Sequence, residues 1–333
     1  MNLVRAELER LAARRFVQLM VVLLVAAFAV TVVTTLGGSH RPSQAELIRA
    51  QEQAAEAVRA LETQHDRCLL IKAGTVTPGG SDYVPRECSE VDPAQMERLP
   101  STGDYLSGVF VFSHEAEGLL YFLIAFLALF GFLVGASYIG ADLNSGGVVN
   151  LLLWRPRRGA VLGAKLGTLL GGLVVLAAVA SAAYLAVFWL IGQVAGLPGQ
   201  PDWAALGVTH GRGMLLVLLA AALGFAIATL GRHTSAALGT VAAYLVVWEL
   251  GARLVFGILS VRQPERLMLS SYLAAWMSGE SRYWDGLTCD NVDGAFCDNF
   301  YTIGWGLGMV VLVGLTAALV LAAFTTFRRR DLI

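Results

Sequence analysis

The chain has 333 residues, of which 56% are hydrophobic and only 15% are charged, and its formal net charge is −1. Soluble domains contain about 45–50% apolar and about 25% charged residues, so this composition excludes an ordinary soluble protein. Several windows of roughly twenty residues hold almost no charge, and such a window can cross a bilayer core of about 30 Å. The composition therefore predicts a polytopic membrane protein.

Six apolar segments are predicted to span the membrane as helices, because only internal hydrogen bonds can satisfy the backbone in lipid. We interpret the first as an uncleaved helix, since its apolar core is longer than the roughly 7–15 residues of a signal peptide. The fold class is thus an all-α polytopic membrane protein. The predicted spans are 16–36, 118–139, 166–192, 206–230, 236–259 and 303–324.

Two polar insertions divide the chain: an extracytoplasmic helical and irregular insertion between spans 1 and 2, and a smaller one between spans 5 and 6. The predicted divisions are the N-terminal interface helix with span 1 (1–36), the extracytoplasmic domain (37–117), spans 2 to 5 with a cytoplasmic segment at 140–165 (118–259), the extracytoplasmic loop with an interfacial helix (260–302), and span 6 with a basic cytoplasmic tail (303–333).

The first fifteen residues predict an amphipathic helix. Leu8 and Leu11 belong to its apolar face, while Glu7, Glu9 and Arg10 are assigned to its polar face. Such a helix lies along the inner membrane face, or it is simply the first turns of span 1 extending into water.

Two further helices are predicted within the insertions. The start signal Pro42-Ser43 and a run of good helix formers predict a helix over 44–66. Apolar and aromatic residues within 264–280 predict a short helix in the outer membrane interface.

Basic residues set the predicted orientation, because short basic segments stay in the cytoplasm. With the N-terminus inside, the inner segments carry twelve arginines and lysines and the two short outer segments carry four. Both termini are therefore predicted to be cytoplasmic. Arginine outnumbers lysine 22 to 2, which is typical of a GC-rich bacterial genome, so the predicted location is a bacterial plasma membrane.

All four cysteines, Cys68, Cys88, Cys289 and Cys297, fall in segments predicted to lie outside. Disulfides persist in oxidising compartments. The simplest of the three possible pairings is Cys68–Cys88 with Cys289–Cys297, and free thiols are the alternative. A zinc site is disfavoured because no CxxC spacing occurs.

Ionisable residues inside or beside a span are functional candidates, because burying them in lipid is costly. Glu249 and Arg253 are four residues apart, so they share a helix face and can form an intramembrane charge pair, either self-satisfied or part of a gate. His114, Glu115 and Glu117 form either a metal site or a charged flank of span 2.

The sequence shows no Ser/His/Asp arrangement, no HExxH pattern and no true phosphate loop, so we predict no catalytic, cofactor or metal site in this chain. Any ATP chemistry would belong to another chain. Gly159, Gly163, Gly167 and Gly171 recur every four residues and predict close helix packing, within the subunit or across a dimer.

The segment 140–165, "GADLNSGGVVNLLLWRPRRGAVLGAK", is short, basic and half-apolar, and it suggests docking to a partner. Asp142 or Asn144 is predicted to cap a short helix within it. The apolar face is contributed by Leu151, Leu152 and Trp154, and the basic end by Arg155, Arg157 and Arg158.

This segment resembles that of the membrane subunit of type-2 ATP-binding-cassette (ABC) exporters. The resemblance rests on an acidic residue, a glycine-containing stretch, an "L-L-x-x-P-x-R" pattern and a lysine that opens span 3. The matching residues are Asp142, Gly146, Gly147, Leu152, Leu153, Pro156, Arg158 and Lys165. The ending "FRRRDLI" and the six-span plan are also similar, although aspartate stands where glutamate is common and Gly147 where threonine is frequent.

The resemblance implies that residues 142–158 form a coupling helix seated on a nucleotide-binding ABC ATPase subunit, present in two copies. It also implies a second permease subunit, identical or homologous, and ATP with Mg on the ATPase, with no cofactor in this chain. The expected cargo is an amphipathic drug, antibiotic, peptide or lipid, the other partner is membrane lipid, and no nucleic acid is expected. The alternative function is a polytopic receptor or assembly protein whose outer domain binds a ligand or protein.

Overall fold

The computed structural model describes residues 3–77, 87–96, 98–145, 158–285 and 300–329. Within them, six helices are long and apolar enough to cross a membrane, and each coincides with one predicted span, so the six-span all-α prediction is confirmed. These helices are α2 (Arg15–Gly38), α4 (Phe112–Asn144), α5 (Arg158–Ala195), α6 (Trp203–Gly231), span 5 (Thr234–Ile258) and α10 (Trp305–Arg329).

Span 5 changes its winding along its length. It begins as α7 (Thr234–Ala243), continues as a π-helix (Tyr244–Ala252) and ends as α8 (Arg253–Ile258). The shorter elements are α1 (Leu3–Ala12), α3 (Gln44–Lys72), α9 (Leu269–Ser278) and 3₁₀ turns at Cys88–Val91, Thr102–Tyr105 and Pro264–Leu267.

Two small sheets accompany the helices. Strands β1 (Phe110–Val111) and β2 (Gly196–Leu197) pair in parallel, with Phe110 opposite Gly196. Strands β3 (Glu280–Trp284) and β4 (Phe300–Gly304) pair antiparallel, with Glu280 opposite Gly304. Neither sheet was predicted. For the insertion that holds β3 and β4, the sequence pattern indicated only a short helix and a tight loop.

The chain divides into two compact units. The first, which we call the bundle, comprises Met1–Phe28, Glu117–Tyr184 and Trp203–Ile333. The second, which we call the α3 unit, comprises Ala29–Ala116 and Leu185–Asp202.

The bundle core forms where α4 and α6 approach closely. A Cβ on Gly135 would lie 2.3 Å from the Ala221 carbonyl oxygen, and a Cβ on Gly224 would lie 2.3 Å from the Phe132 carbonyl oxygen. These two glycines therefore allow backbone-to-backbone contact. The predicted glycine stripe of span 3 makes no such close contact. A Cβ on Gly159 or Gly163 would lie 3.9 Å from a side chain of α10, and a Cβ on Gly171 would meet nothing within 4 Å.

The helix α1 is separate from span 1, since α1 ends at Ala12 and α2 begins at Arg15. Its buried face differs from the predicted one. Glu7 is only 1% exposed, whereas Leu8 is 42% exposed and lines an apolar groove of about 520 Å³. Glu7 is buried because polar partners from two other helices surround it, as described below.

The α3 unit is organised around its long helix. Ser43 and Glu46 form a capping box, which confirms the predicted helix start, and the helix continues to Lys72, beyond the predicted end. A disulfide joins Cys68 on this helix to Cys88, which is compatible with that predicted pairing. Cys289 and Cys297 lie outside the described residues.

Candidate functional site

Four side chains from three helices, together with Arg14 from the turn between α1 and α2, form a largely buried ion cluster in the bundle. Lys165 on α5 places its Nζ 2.9 Å from Glu7 Oε2 on α1 and 2.8 Å from Asp142 Oδ2 on α4. The Tyr138 hydroxyl donates a hydrogen bond to Glu7, and Arg14 pairs with Asp142. The cluster thus joins α1 to the end of α4 and the first turns of α5.

Helix periodicity places these groups together. Glu7 and Leu11 are one turn apart on α1, so the carboxylate enters the bundle beside a leucine that packs into the core. Tyr138 and Asp142 are likewise one turn apart near the end of α4, and both face Lys165. The one-turn spacing of these residues can be read from the sequence, but only the folded bundle shows which charged side chains contact one another.

The positive and negative charges within the cluster nearly cancel one another. The Lys165 side chain is 3% exposed and that of Glu7 is 1% exposed. Burial opposes ionisation of Glu7, but hydrogen bonds from Tyr138 and Lys165 and the nearby positive charges outweigh burial and hold the pKa of Glu7 below its ordinary value of 4.5. Glu7 is therefore a carboxylate at neutral pH.

The aromatic ring of Tyr138 binds two cations. The Arg14 guanidinium carbon lies 4.8 Å from the ring centroid, and Lys165 Nζ lies 4.7 Å from it. Cations within about 6 Å of a ring face are attracted by its quadrupole. Arg14 also donates a hydrogen bond to the Ser137 carbonyl at 3.3 Å. Each charge in the cluster therefore has more than one partner, which fixes the relative position of the three helices.

The cluster lies immediately before and after the segment predicted to dock on a partner. Asp142 and Asn144 lie in the last turn of α4, so Asp142 does not cap a separate short helix, and Arg158 is the first residue of α5. Residues 146–157 lie outside the part of the chain that the structure describes. The predicted coupling residues among them are Leu151, Leu152, Trp154, Arg155 and Arg157.

Glu249 and Arg253 meet through a serine of the next insertion. The Ser270 backbone N–H and hydroxyl lie 3.0 and 2.8 Å from Glu249, and Arg253 donates to the same hydroxyl at 3.4 Å. The π-helical winding brings the Tyr244 hydroxyl 2.8 Å from Glu249, five residues later. Tyr244 also accepts the backbone N–H of Leu269, so this group satisfies the first turn of α9.

A second polar group appears in the α3 unit, where no such arrangement was predicted. Ser101 Oγ lies 3.0 Å from His114 Nε2, and His114 Nδ1 lies 3.4 Å from Asp104 Oδ1. The spacing Ser101-x-x-Asp104 is a capping-box pattern that sequence reasoning can detect, but the position of His114 depends on the chain reversal before α4. Among the described residues, no group of three His, Cys, Asp or Glu side chains is arranged to hold a metal ion, and this includes the candidate set His114, Glu115 and Glu117.

The comparisons with known proteins give one result. Residues 1–332 match the family described as ABC-2 family transporter protein. No curated protein and no solved structure matches the chain. With a match over nearly the whole chain and six apolar helices of spanning length, the chain belongs to the ABC-2 transporter family, as a multi-pass transmembrane subunit of an ABC transporter that partners an ABC ATPase subunit.

Proposed function

We propose that this chain is the permease of an ATP-driven exporter that moves an amphipathic substrate, such as a drug, antibiotic, peptide or lipid, out of the cytoplasm or inner leaflet. Two permease chains, identical or homologous, act with two ATPase subunits, which bind ATP and Mg. The protein lies in a bacterial plasma membrane with both termini in the cytoplasm. The family match supports the transporter function over the receptor alternative.

The proposed coupling role rests on the buried ion cluster, whose residues Asp142 and Lys165 lie before and after residues 146–157 in the sequence. A segment that receives force from a partner must be anchored to the spans it moves. Here Asp142 and Lys165 pair at 2.8 Å across the two helices that lead into and out of the segment. Glu7 adds α1 to the same rigid group.

In this mechanism, ATP binding closes the two ATPase subunits and displaces the segment 142–158. The Asp142–Lys165 pair transmits the displacement to α4 and α5 together, and the Glu7–Lys165 pair carries α1 with them. The two spans tilt and open a central path outward. Trp154 and the neighbouring leucines fill a groove on the ATPase, because aromatic residues are frequent anchors at interfaces.

The test compares docking with transport in purified complexes. We expect Trp154→Asp to abolish ATPase pull-down and transport, whereas Arg155→Ala, at an interface rim, should weaken docking by about 1 kcal/mol or less. The matched control is Trp203→Asp, a similar change at an exposed tryptophan of α6 that lies outside the segment. Full docking and transport by the Trp154→Asp variant would show that residues 142–158 are not the coupling element.

The proposed orientation has its own test. A membrane-impermeant thiol reagent, applied after reduction, should reach Cys68 in intact cells, because α3 lies outside in this topology. A cysteine introduced in place of Ser145 should react only after the cells are broken. The reverse pattern would place α3 in the cytoplasm and contradict the proposed orientation.

A further inference from the structure

A serine hydroxyl and an imidazole line one cavity of the α3 unit, and a carboxylate lies beside the imidazole. The cavity has a volume of about 550 Å³, and Ser101 and His114 are among the residues that line it. Ser101 Oγ lies 3.0 Å from His114 Nε2, and His114 Nδ1 lies 3.4 Å from Asp104 Oδ1. This is the connectivity of a nucleophile, a general base and an orienting acid.

We propose that Ser101, His114 and Asp104 form a hydrolytic site for small carboxylic esters, an activity separate from transport. Ser101 is the nucleophile, His114 is the general base, and Asp104 is a positioning residue that acts through the imidazole. The nucleophile–base distance is within hydrogen-bond range, and the longer base–acid distance is common in such sites before substrate binds.

The hydrogen-bonding groups favour the tautomer that catalysis needs. If Nε2 carried the proton of neutral His114, the bare lone pair of Nδ1 would face the Asp104 carboxylate. With the proton on Nδ1, His114 donates to Asp104, and Nε2 is free to accept the proton of Ser101. We assign the Nδ1–H tautomer on this basis, and it is the orientation that prepares Nε2 to act as a base.

The carboxylate is held in its charged form. Burial opposes ionisation of Asp104, but hydrogen bonds from the Ser101 backbone and side chain, and the Arg98 guanidinium, keep the pKa of Asp104 below its ordinary value of 3.8. The Ser101 hydroxyl lies 2.9 Å from Asp104 Oδ2 and therefore has two possible acceptors. When that hydroxyl turns to His114, Asp104 Oδ2 keeps the Ser101 backbone N–H at 2.8 Å.

The cavity lining indicates the substrate class. Val111 and Leu197 offer apolar surface for a short acyl chain, while Arg98, Gln200 and Asp202 offer polar groups for the alcohol part. Ligand pockets typically measure about 300–1,000 Å³, so this cavity accommodates a small ester. The geometry therefore fits a short acyl group attached to a polar alcohol.

The reaction balances with water as the only co-reactant. Ser101 Oγ forms a bond to the ester carbonyl carbon and gives its proton to His114 Nε2. The bond from that carbon to the alcohol oxygen then breaks, and His114 returns the proton to the departing alcohol. Water, deprotonated by His114, attacks the acyl–serine, and the carboxylic acid leaves while Ser101 regains its proton.

The glycine at position 103 offers a variant in which Ser101, His114 and Asp104 all remain but the imidazole is moved. A Cβ there would lie 2.4 Å from His114 Cε1, so Gly103→Ala must displace the imidazole. The matched control is Gly37→Ala, since a Cβ on Gly37 would meet nothing within 4 Å. Ser107→Ala is the control for removing a serine hydroxyl from the same turn region.

The experiment treats the full chain in lipid nanodiscs with a fluorophosphonate probe and maps the adduct by mass spectrometry. We expect an adduct on Ser101, its loss in Ser101→Ala, and labelling slowed about 100-fold or more in His114→Asn, because a general base contributes about 10²–10⁴-fold. Gly103→Ala should label at least tenfold more slowly, and both controls should label like the natural chain. Hydrolysis of p-nitrophenyl acetate should follow the same order.

A purely structural capping role gives a different result. In that case Ser101→Ala lowers the melting temperature, Ser101 carries no adduct, and the His114→Asn change leaves probe labelling unaltered. An unlabelled Ser101 in the folded natural chain, or labelling that does not depend on His114, overturns the proposal. Neither result bears on the transport proposal, which rests on other residues.

Discussion

The carboxylate of Glu7 lies 2.9 Å from the Nζ of Lys165, although 158 residues separate the two in sequence. Their side chains are 1% and 3% exposed. Removing one partner of a buried pair is costly, because the other charge stays buried without compensation. The stability of the bundle should therefore be sensitive to conservative changes at this one cluster.

The first prediction concerns acid. The pKa of Glu7 is held below 4.5, so its carboxylate stabilises the folded chain above about pH 4.5. That contribution is lost as the pH falls through the lower, folded-state pKa, and α1 should then exchange its amide hydrogens faster. Hydrogen exchange of residues 3–12 between pH 7 and pH 3 measures this after correction for intrinsic rates. In Glu7→Gln the acid-dependent loss should shrink, and an unchanged pH dependence would contradict the assignment.

The second prediction concerns the contact between α4 and α6. Gly135→Ala places a methyl group 2.3 Å from the Ala221 carbonyl oxygen, so the helices must separate. Overpacking of this kind costs about 1–3 kcal/mol, which should appear as a lower melting temperature in detergent. Gly171→Ala is the control, because its methyl group would meet nothing within 4 Å. Equal melting temperatures for the two variants would show that α4 and α6 are not in such close contact.

The glycines also show that helix–helix contacts could not be predicted from glycine spacing alone. Spacing predicted a packing stripe in span 3, but a regular spacing does not say which helix, if any, faces it. In the bundle, Gly135 of α4 contacts the backbone of α6 at Ala221, and Gly224 of α6 contacts the backbone of α4 at Phe132. Span positions were predictable because hydropathy is a property of one segment, whereas close packing is a property of two.

The contacts of the polar residues also depend on two segments, so they too could not be predicted from one segment of the sequence. Glu7 was assigned to a polar, exposed face because a helical pattern assumes that charge faces water, yet Tyr138 and Lys165 supply its partners inside the bundle. Glu249 and Arg253 were matched by α-helical spacing. Glu249 lies in the π-helix and Arg253 begins α8, and both residues contact Ser270 of the next insertion. Local sequence patterns predicted that the charged residues lie on helices, but their contact partners come from segments that are distant in the sequence.

The third prediction concerns the disulfide of the α3 unit. Cys68 and Cys88 close a loop with a sequence separation of 20, and a cross-link of this length stabilises by about 3 kcal/mol in the chain-entropy description. Cys68→Ser should therefore increase proteolysis near the end of α3 without changing cleavage in the bundle. Limited proteolysis with peptide mapping measures the effect, and Cys289→Ser is the comparison in the other insertion. Equal cleavage of α3 in both variants would contradict a stabilising role for this bond.

The last prediction is a double-mutant cycle on Glu7 and Lys165. Lys165→Met should be the more harmful single change, because it removes the common partner of Glu7 and Asp142. We expect it to cost about 3–5 kcal/mol, the usual cost of breaking a buried pair.

Glu7→Gln should cost less, since Lys165 keeps Asp142 at 2.8 Å and the glutamine can still accept from Tyr138. The double variant should be more stable than the sum of the two changes predicts, because it leaves fewer buried charges unpaired, with a coupling energy of about 0.5–3 kcal/mol. Thermal unfolding of the four proteins in one detergent gives all the values needed. Glu9→Gln, an exposed change on the same helix, controls for altering the charge of α1. Strict additivity would mean that Glu7 and Lys165 do not interact, and it would contradict the buried pair between α1 and α5.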